Sequence, residues 1–184
     1  MAALVADTDD LYLAGHSMGG LVGILMASGW FGVRPRAVVT AGVKVAWTDE
    51  EIAGIAKLID MPVRWFDTEA DARERFILVT GLKGVADPES EFASTGVVED
   101  DGRWRLAADN RAAAVAYADT QDIYRAARAP VVLAAGEHDR MVSAEDLRTL
   151  DGDARELGGL GHNAHIEDPD AFWAMIAETA GVSP

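Results

Sequence analysis

Short apolar runs that close on glycine recur along the chain. Leu11–Gly15 (LYLAG), Arg36–Gly42 (RAVVTAG) and Pro130–Gly136 (PVVLAAG) carry apolar side chains at consecutive positions, with Ala154–Gly159 (ARELGG) a weaker fourth. Consecutive apolar residues over so short a span predict strands buried on both faces, as in a parallel sheet. Helical patterns lie between or after them. MGGLVGILMASG follows the first strand and is expected to stop at Gly29. SAEDLRTL opens with Ser143 and Asp146 at capping-box spacing, and DPDAFWAMIAETAG opens with an Asp168 cap and a Pro169 at the first helical position. Strand–helix alternation of this kind predicts an α/β layer fold.

Between about Val45 and Arg128 the pattern changes. TDEEIAGIAKLID reads as a helix capped by Thr48 with Glu51 three residues later, and DTEADARERFILVTGL as a second helix. GVVEDDGRWRL reads as a hairpin turning at Asp101-Gly102, and DNRAAAVAYADTQDIYRAA is helical again. The expected domains are therefore a core from residues 1–45 and 129–184, interrupted by a mostly helical insert over 46–128. Trp47, Trp65 and Trp104 lie in that insert and are expected to serve its core, with Trp47 also a candidate substrate contact.

Composition narrows the function. With 31 acidic against 16 basic residues the net charge is −15, which repels phosphates and argues against nucleic acid or an anionic membrane as partner. No apolar run reaches the length of a membrane span, and the first residues, MAALVADTDD, lack the pattern of a secretory signal. The absence of Cys excludes disulfides and thiolate zinc sites and fits a reducing, cytoplasmic setting. The four His show no ligand spacing beyond the His162/His165 pair, so neither metal nor cofactor is expected.

The candidate chemistry begins at Gly15-His16-Ser17-Met18-Gly19-Gly20. A Ser at a tight strand-to-helix turn projects its hydroxyl above the sheet edge. Glycines let helix and strand nearly touch, and the new helix N-terminus offers N–H groups suited to an oxyanion, Met18 N–H first among them. A nucleophilic Ser needs a base, and the base an orienting acid. Asp139 follows the PVVLAAG strand, with Glu137 as fallback acid. His162 follows the last strand, with His165 as competitor. Glu167 is expected to order the His162 loop or meet the helix N-terminus, His138 to be a loop residue, and His16 to pack under the elbow or shape the pocket as a substrate contact.

Together these segments resemble the α/β-hydrolase family. GHSMGG resembles its nucleophile elbow, GEHDRMVS its acid loop and GLGHNAHIEDP its Gly-His loop, while the insert resembles the family's helical cap. The resemblance implies Ser17 as nucleophile, Asp139 as acid and His162 as base. The fold it implies is a partial α/β-hydrolase core with a mainly parallel sheet and an inserted cap. The expected activity is that of a serine hydrolase of esterase or carbon–carbon-bond hydrolase type, acting on a small, mostly apolar carbonyl compound. A Ser at the elbow, where dehalogenases and epoxide hydrolases of the family have Asp, argues against those chemistries. A lyase or peroxidase-like reaction on the same triad is a weaker expectation.

One departure stands out. The family builds several strands before the elbow, with a His-Gly loop that supplies the second oxyanion donor, yet ten residues precede LYLAG here. The Leu11–Gly15 strand is therefore expected to need cover, from a missing N-terminal segment or from a second copy in a homo-oligomer. The rival expectation is a truncated, non-catalytic binding module with an incomplete oxyanion hole.

Overall fold

A computed structural model describes residues 10–183. In chain order its strands are β1 (Tyr12–His16), β2 (Ala37–Ala41), β3 (Val97–Asp100), β4 (Arg103–Leu106), β5 (Val131–Gly136) and β6 (Arg155–Leu157). Its α-helices are α1 (Met18–Met26), α2 (Asp49–Ile59), α3 (Glu69–Val79), α4 (Glu91–Thr95), α5 (Thr120–Ala126), α6 (Ala144–Arg148), α7 (Ala164–Glu167) and α8 (Pro169–Ala180). They form two compact units, one taking in the chain up to Ala46 and again from Asp119, the other Trp47–Ala118.

The first unit is built on a parallel sheet in the order β1-β2-β5-β6. Every residue of β2 is buried, as its unbroken apolar run predicts. Its one polar member, Thr40, meets the cost of burial by donating its hydroxyl to the Val132 carbonyl at 3.2 Å. Successive β2 side chains face opposite ways and define two packing layers. Val38 faces α1, where it stands 3.3 Å from the place a Cβ on Gly23 would take. Val39 packs with Ala134 and Met175 of α8, backed by Phe172 and Ile176. The cap expected for α8 is present: Asp168 accepts from the Ala171 N–H at 3.0 Å, Pro169 opens the helix, and Gly181 closes it at φ 69°. Ser143 and Asp146 form a reciprocal capping box on α6.

One expectation changes here. The Leu11–Gly15 run becomes β1, which pairs with β2 alone among the described residues; Leu13 is buried, but Tyr12 and Ala14 are exposed. Burial of its faces depends on what packs over the strand, which its own sequence does not encode, whereas its place at the sheet edge among the described residues matches the expected need for cover. The run DNRAAAVAYADTQDIYRAA is helical, as expected, in two segments. A 3-10 helix covers Asn110–Tyr117, and α5 starts afresh where the Asp119 carboxylate accepts from the Asp122 N–H at 2.9 Å. That Asp acts as an N-cap, which ends one segment and nucleates the next.

The second unit contains α2, α3, α4 and the β3–β4 hairpin. Thr48 and Glu51 make the expected capping box on α2. The hairpin turns on Asp101 and Gly102 at φ 52° and 76°, the left-handed pair a two-residue turn demands. Phe66 bridges to Trp104, which helps close a core of Phe66, Ala72 and Val97. Trp65 instead lies under the guanidinium groups of Arg103 and Arg105.

Candidate active site

The candidate residues of the first unit all follow the carboxyl ends of parallel strands, where the loops of an open α/β sheet gather. Ser17 comes directly after β1, Asp139 three residues after β5, and His162 in the loop after β6.

Ser17 holds φ 49° and ψ −123°, a conformation that costs a non-glycine residue about 1–3 kcal/mol. The surroundings enforce it. The Ser17 N–H donates to the Ala41 carbonyl at 2.8 Å, extending the β1–β2 ladder one residue, while its own carbonyl receives the Leu21 N–H of α1. The helix and strand then approach so closely that a Cβ on Gly15 would lie 2.6 Å from the Gly20 nitrogen, and one on Gly20 2.6 Å from a Val43 methyl. Gly19 differs, since a Cβ there would meet open space. Two of the three glycines are sterically required, and the third is not. Although Ser17 occupies the N-cap position, its side chain makes no capping hydrogen bond. Met18 is the first residue of α1, so its N–H has no carbonyl one turn earlier in the helix to bond.

His162 and Asp139 are joined by a 2.8 Å hydrogen bond from Nδ1 to Oδ2. The other Asp139 oxygen accepts the Met141 N–H at 2.7 Å and the Val142 N–H at 3.3 Å. The carboxylate is fully buried. Burial by itself would raise its pKa, but the bonds from His162 and the Met141 N–H outweigh it and hold Asp139 below the ordinary carboxylate value. Glu137 instead binds the Gly159 N–H at 2.8 Å, and His138 is exposed. The Glu167 carboxylate grips the main chain on both sides of the His162 residue, accepting from the Gly161 and Asn163 N–H groups. The His162 ring lies over Gly42, where a Cβ would stand 3.0 Å from its Cε1. Gly42 follows Ala41, the carbonyl partner of Ser17 N–H, so nucleophile turn and imidazole meet at the end of β2. Among the described residues no hydrogen bond joins the Ser17 hydroxyl to the His162 ring.

His16 packs into a cluster of imidazoles. Its ring lies edge-on to His162 at 4.7 Å between centroids and tilted over His165 at 4.3 Å. The sequence pattern did not reveal this cluster; the pair His162 and His165, three residues apart, was its one local trace. Burial, then the neighbouring His165 and His162, lower the His16 pKa to about 4. Its effect on folding has a definite sign. Between pH 6.5 and 4 the unfolded chain binds a proton that folded His16 refuses, so stability is full above pH 6.5 and falls as pH drops through this window. The loss reaches about 3 kcal/mol by pH 4. His165, lowered chiefly by burial, adds to it in the same direction. Asp139, depressed below the ordinary carboxylate value, costs stability only at lower pH. Urea unfolding at pH 7 and at pH 4.5 is expected to show this loss, and His16→Phe to flatten it.

Trp47 lies in the other unit, half-buried on the segment that enters α2. That unit carries a cleft of about 790 Å³ among Arg64, Trp65, Arg75, Lys83 and Arg103, which Trp47 does not line. No group of three His, Cys, Asp or Glu among the described residues is arranged to hold a metal ion, and no helix there is long and apolar enough to cross a membrane.

A parallel sheet with helices on both faces, a strained Ser at the first strand-to-helix turn and an Asp–His pair over the same sheet end define an α/β-hydrolase framework. The family model described as the alpha/beta hydrolase family matches residues 1–175, and the chain belongs to that family. No curated protein matches it. Among solved structures it is similar to an E-2-(acetamidomethylene)succinate hydrolase, at TM-score 0.73 and 20% identity over 93% of this chain and 66% of that one. The thioesterase domain from the curacin biosynthetic pathway aligns at TM-score 0.66 and 17% identity, over 95% of this chain and 69% of that one. An esterase from M. tuberculosis aligns at TM-score 0.65 and 19% identity, over 93% and 62%. The chain thus spans about two thirds of the length of these structures, and the likeness is one of fold.

Proposed function

We propose that this chain carries the working core of a serine hydrolase of esterase or carbon–carbon-bond hydrolase type. The observation that carries the reading is the 2.8 Å bond between a fully buried Asp139 and His162, at the sheet end where Ser17 is held in a strained turn. The Asp139 bond to Nδ1–H leaves Nε2 of neutral His162 as the basic nitrogen. In the proposed reaction the Ser17 Oγ–H proton passes to Nε2 as Oγ bonds to the substrate carbonyl carbon. Asp139 stabilises the imidazolium, and the Met18 N–H receives the oxyanion. The tetrahedral adduct collapses by breaking the bond to the leaving group, which takes the proton from His162. Water, deprotonated by the same nitrogen, then releases the acid and restores Ser17.

The hydrolase and esterase neighbours support this reaction class. We assign the unit Trp47–Ala118 as the inserted cap, and a small, mostly apolar carbonyl compound as the substrate class. The one-sided pairing of β1 supports cover of that edge by further strands or by a second copy.

A fluorophosphonate probe tests the reading, because its phosphorus accepts Oγ and expels fluoride only where the serine is activated. One phosphonyl adduct per chain is expected on the peptide containing Ser17, with none in Ser17→Ala. Absence of labelling would favour the rival reading, a non-catalytic binding module. The lack of a direct Ser17–His162 hydrogen bond is the observation that keeps this rival in play.

A further inference from the structure

We propose that His16 is a positioning residue that clamps the His162 loop to the nucleophile elbow, by donating its Nε2–H to the His162 main-chain carbonyl. The proposal rests on the reading of Ser17, His162 and Asp139 as the reacting set and adds a residue that acts through one of them.

The argument starts from what fixes His162. Asp139 fixes the imidazole at Nδ1, and Glu167 fixes the main-chain N–H groups on either side of it. Those contacts tie the loop after β6 to the loop after β5 and to α7. None of them ties it to the turn that carries Ser17. His16 makes that tie. It is the residue immediately before Ser17, and its Nε2 lies 2.8 Å from the His162 carbonyl oxygen across 146 positions of sequence. A carbonyl oxygen can only accept, so the His16 nitrogen facing it carries the proton. His16 is the last residue of β1, in register with Ala41 of β2, so the sheet fixes its backbone directly beside the Ser17 turn.

His165 packs against the clamp. Its ring packs on His16 at 4.3 Å, and its Nδ1 is buried with no hydrogen-bond partner. Buried polar atoms without partners are rare and call for a reason. Here the reason is placement: the ring is held against His16 and Phe172 rather than turned to find a donor. Edge-on contact with His162 and tilted contact with His165 pack the His16 ring where its Nε2 reaches the carbonyl.

Two variants separate the donor from the ring. His16→Phe keeps a flat ring of similar size without the N–H, and His16→Gln restores an N–H near the Nε2 position. One readout does not depend on turnover: the exchange with water of the His162 Nδ1–H proton, followed by proton NMR. His16→Phe is expected to speed that exchange and to lower kcat for a short activated ester by up to about 10²-fold with KM nearly unchanged. His16→Gln is expected to recover most of both losses. Wild-type exchange and kcat in His16→Phe would overturn the clamp, as would a His16→Gln as impaired as His16→Phe. Nitrogen shifts of the wild-type protein give a further measure, independent of whether a variant folds. His16 is expected as the Nε2–H tautomer, and the Nδ1–H tautomer would overturn the proposal. If exchange responds as expected in a protein that neither labels nor turns over, the clamp stands and the hydrolase reading fails. If wild type labels at Ser17 and His16→Phe changes nothing, the reverse holds.

Discussion

Ser17→Ala is expected to lower kcat for an activated ester at least about 10⁴-fold, His162→Ala to do nearly the same, and the double variant to be no slower than either single one. The non-additivity is the informative part. If Ser17 attacks only because His162 takes its proton, removing either partner removes the same step, and removing the second costs nothing more. Residual rate would come from what remains at the elbow, the Met18 N–H and the binding surface. Steady-state hydrolysis by the three variants, with melting curves to show that each is folded, measures this directly. Losses that multiply in the double variant would mean that Ser17 and His162 act in separate steps, and the shared-proton mechanism would be abandoned. The strain at Ser17 does not confuse the comparison, since Ala at φ 49° is held in the same unfavourable region as Ser.

Much of the framework is legible in local sequence because it obeys local rules. A strand buried on both faces must be apolar at every position, and β2 is. Helix starts announce themselves through side chains that reach their own backbone, as at Thr48, Ser143 and Asp168. The family resemblance is legible for the same reason, since the elbow, acid loop and Gly-His loop are each short contiguous segments. What is not legible depends on partners distant in the chain. LYLAG has the composition of a strand buried on both faces, yet Tyr12 and Ala14 are exposed, because burial depends on what packs over the strand. Glu137 and Asp139 are both carboxylates just past β5. The resemblance picks Asp139 as the acid, but that Glu137 instead meets the Gly159 N–H is settled by the fold. His16 reads from its place beside Ser17 as packed under the elbow or shaping the pocket, but its hydrogen-bond partner, the His162 carbonyl 146 residues away, is not legible locally. The run of three glycines reads as one requirement, whereas Gly15 and Gly20 face backbone and a packed methyl and Gly19 faces open space.

Such a difference between glycines makes the last expectation sharp. Gly136, the final residue of β5, is expected to tolerate no side chain, and Gly136→Ala to destabilise the protein by more than about 4 kcal/mol or to abolish folding. A Cβ there would stand 2.2 Å from the Gly161 carbonyl oxygen and 2.3 Å from that of Leu160, which are backbone atoms with no rotamer to adopt. Gly136 is not among the glycines with positive φ, so the requirement is for space, and Ala brings no dihedral penalty of its own. The space matters because the two loops are stitched together at this point. The Glu137 N–H donates to the Leu157 carbonyl at 2.9 Å and the His138 N–H to the Leu160 carbonyl at 2.8 Å, while Asp139 and His162 sit just beyond. Relieving the clash means pulling the β5 loop away from the β6 loop, which breaks those bonds and parts the carboxylate from the imidazole. Gly19→Ala is the matched control. It adds the same methyl group in the first turn of α1 with nothing to strike, and is expected to gain about 0.5–1 kcal/mol from reduced backbone entropy of the unfolded chain. Urea unfolding of both variants at pH 7 makes the comparison. A Gly136→Ala protein within about 1 kcal/mol of wild type would show that the acid and base loops are not locked together at this glycine.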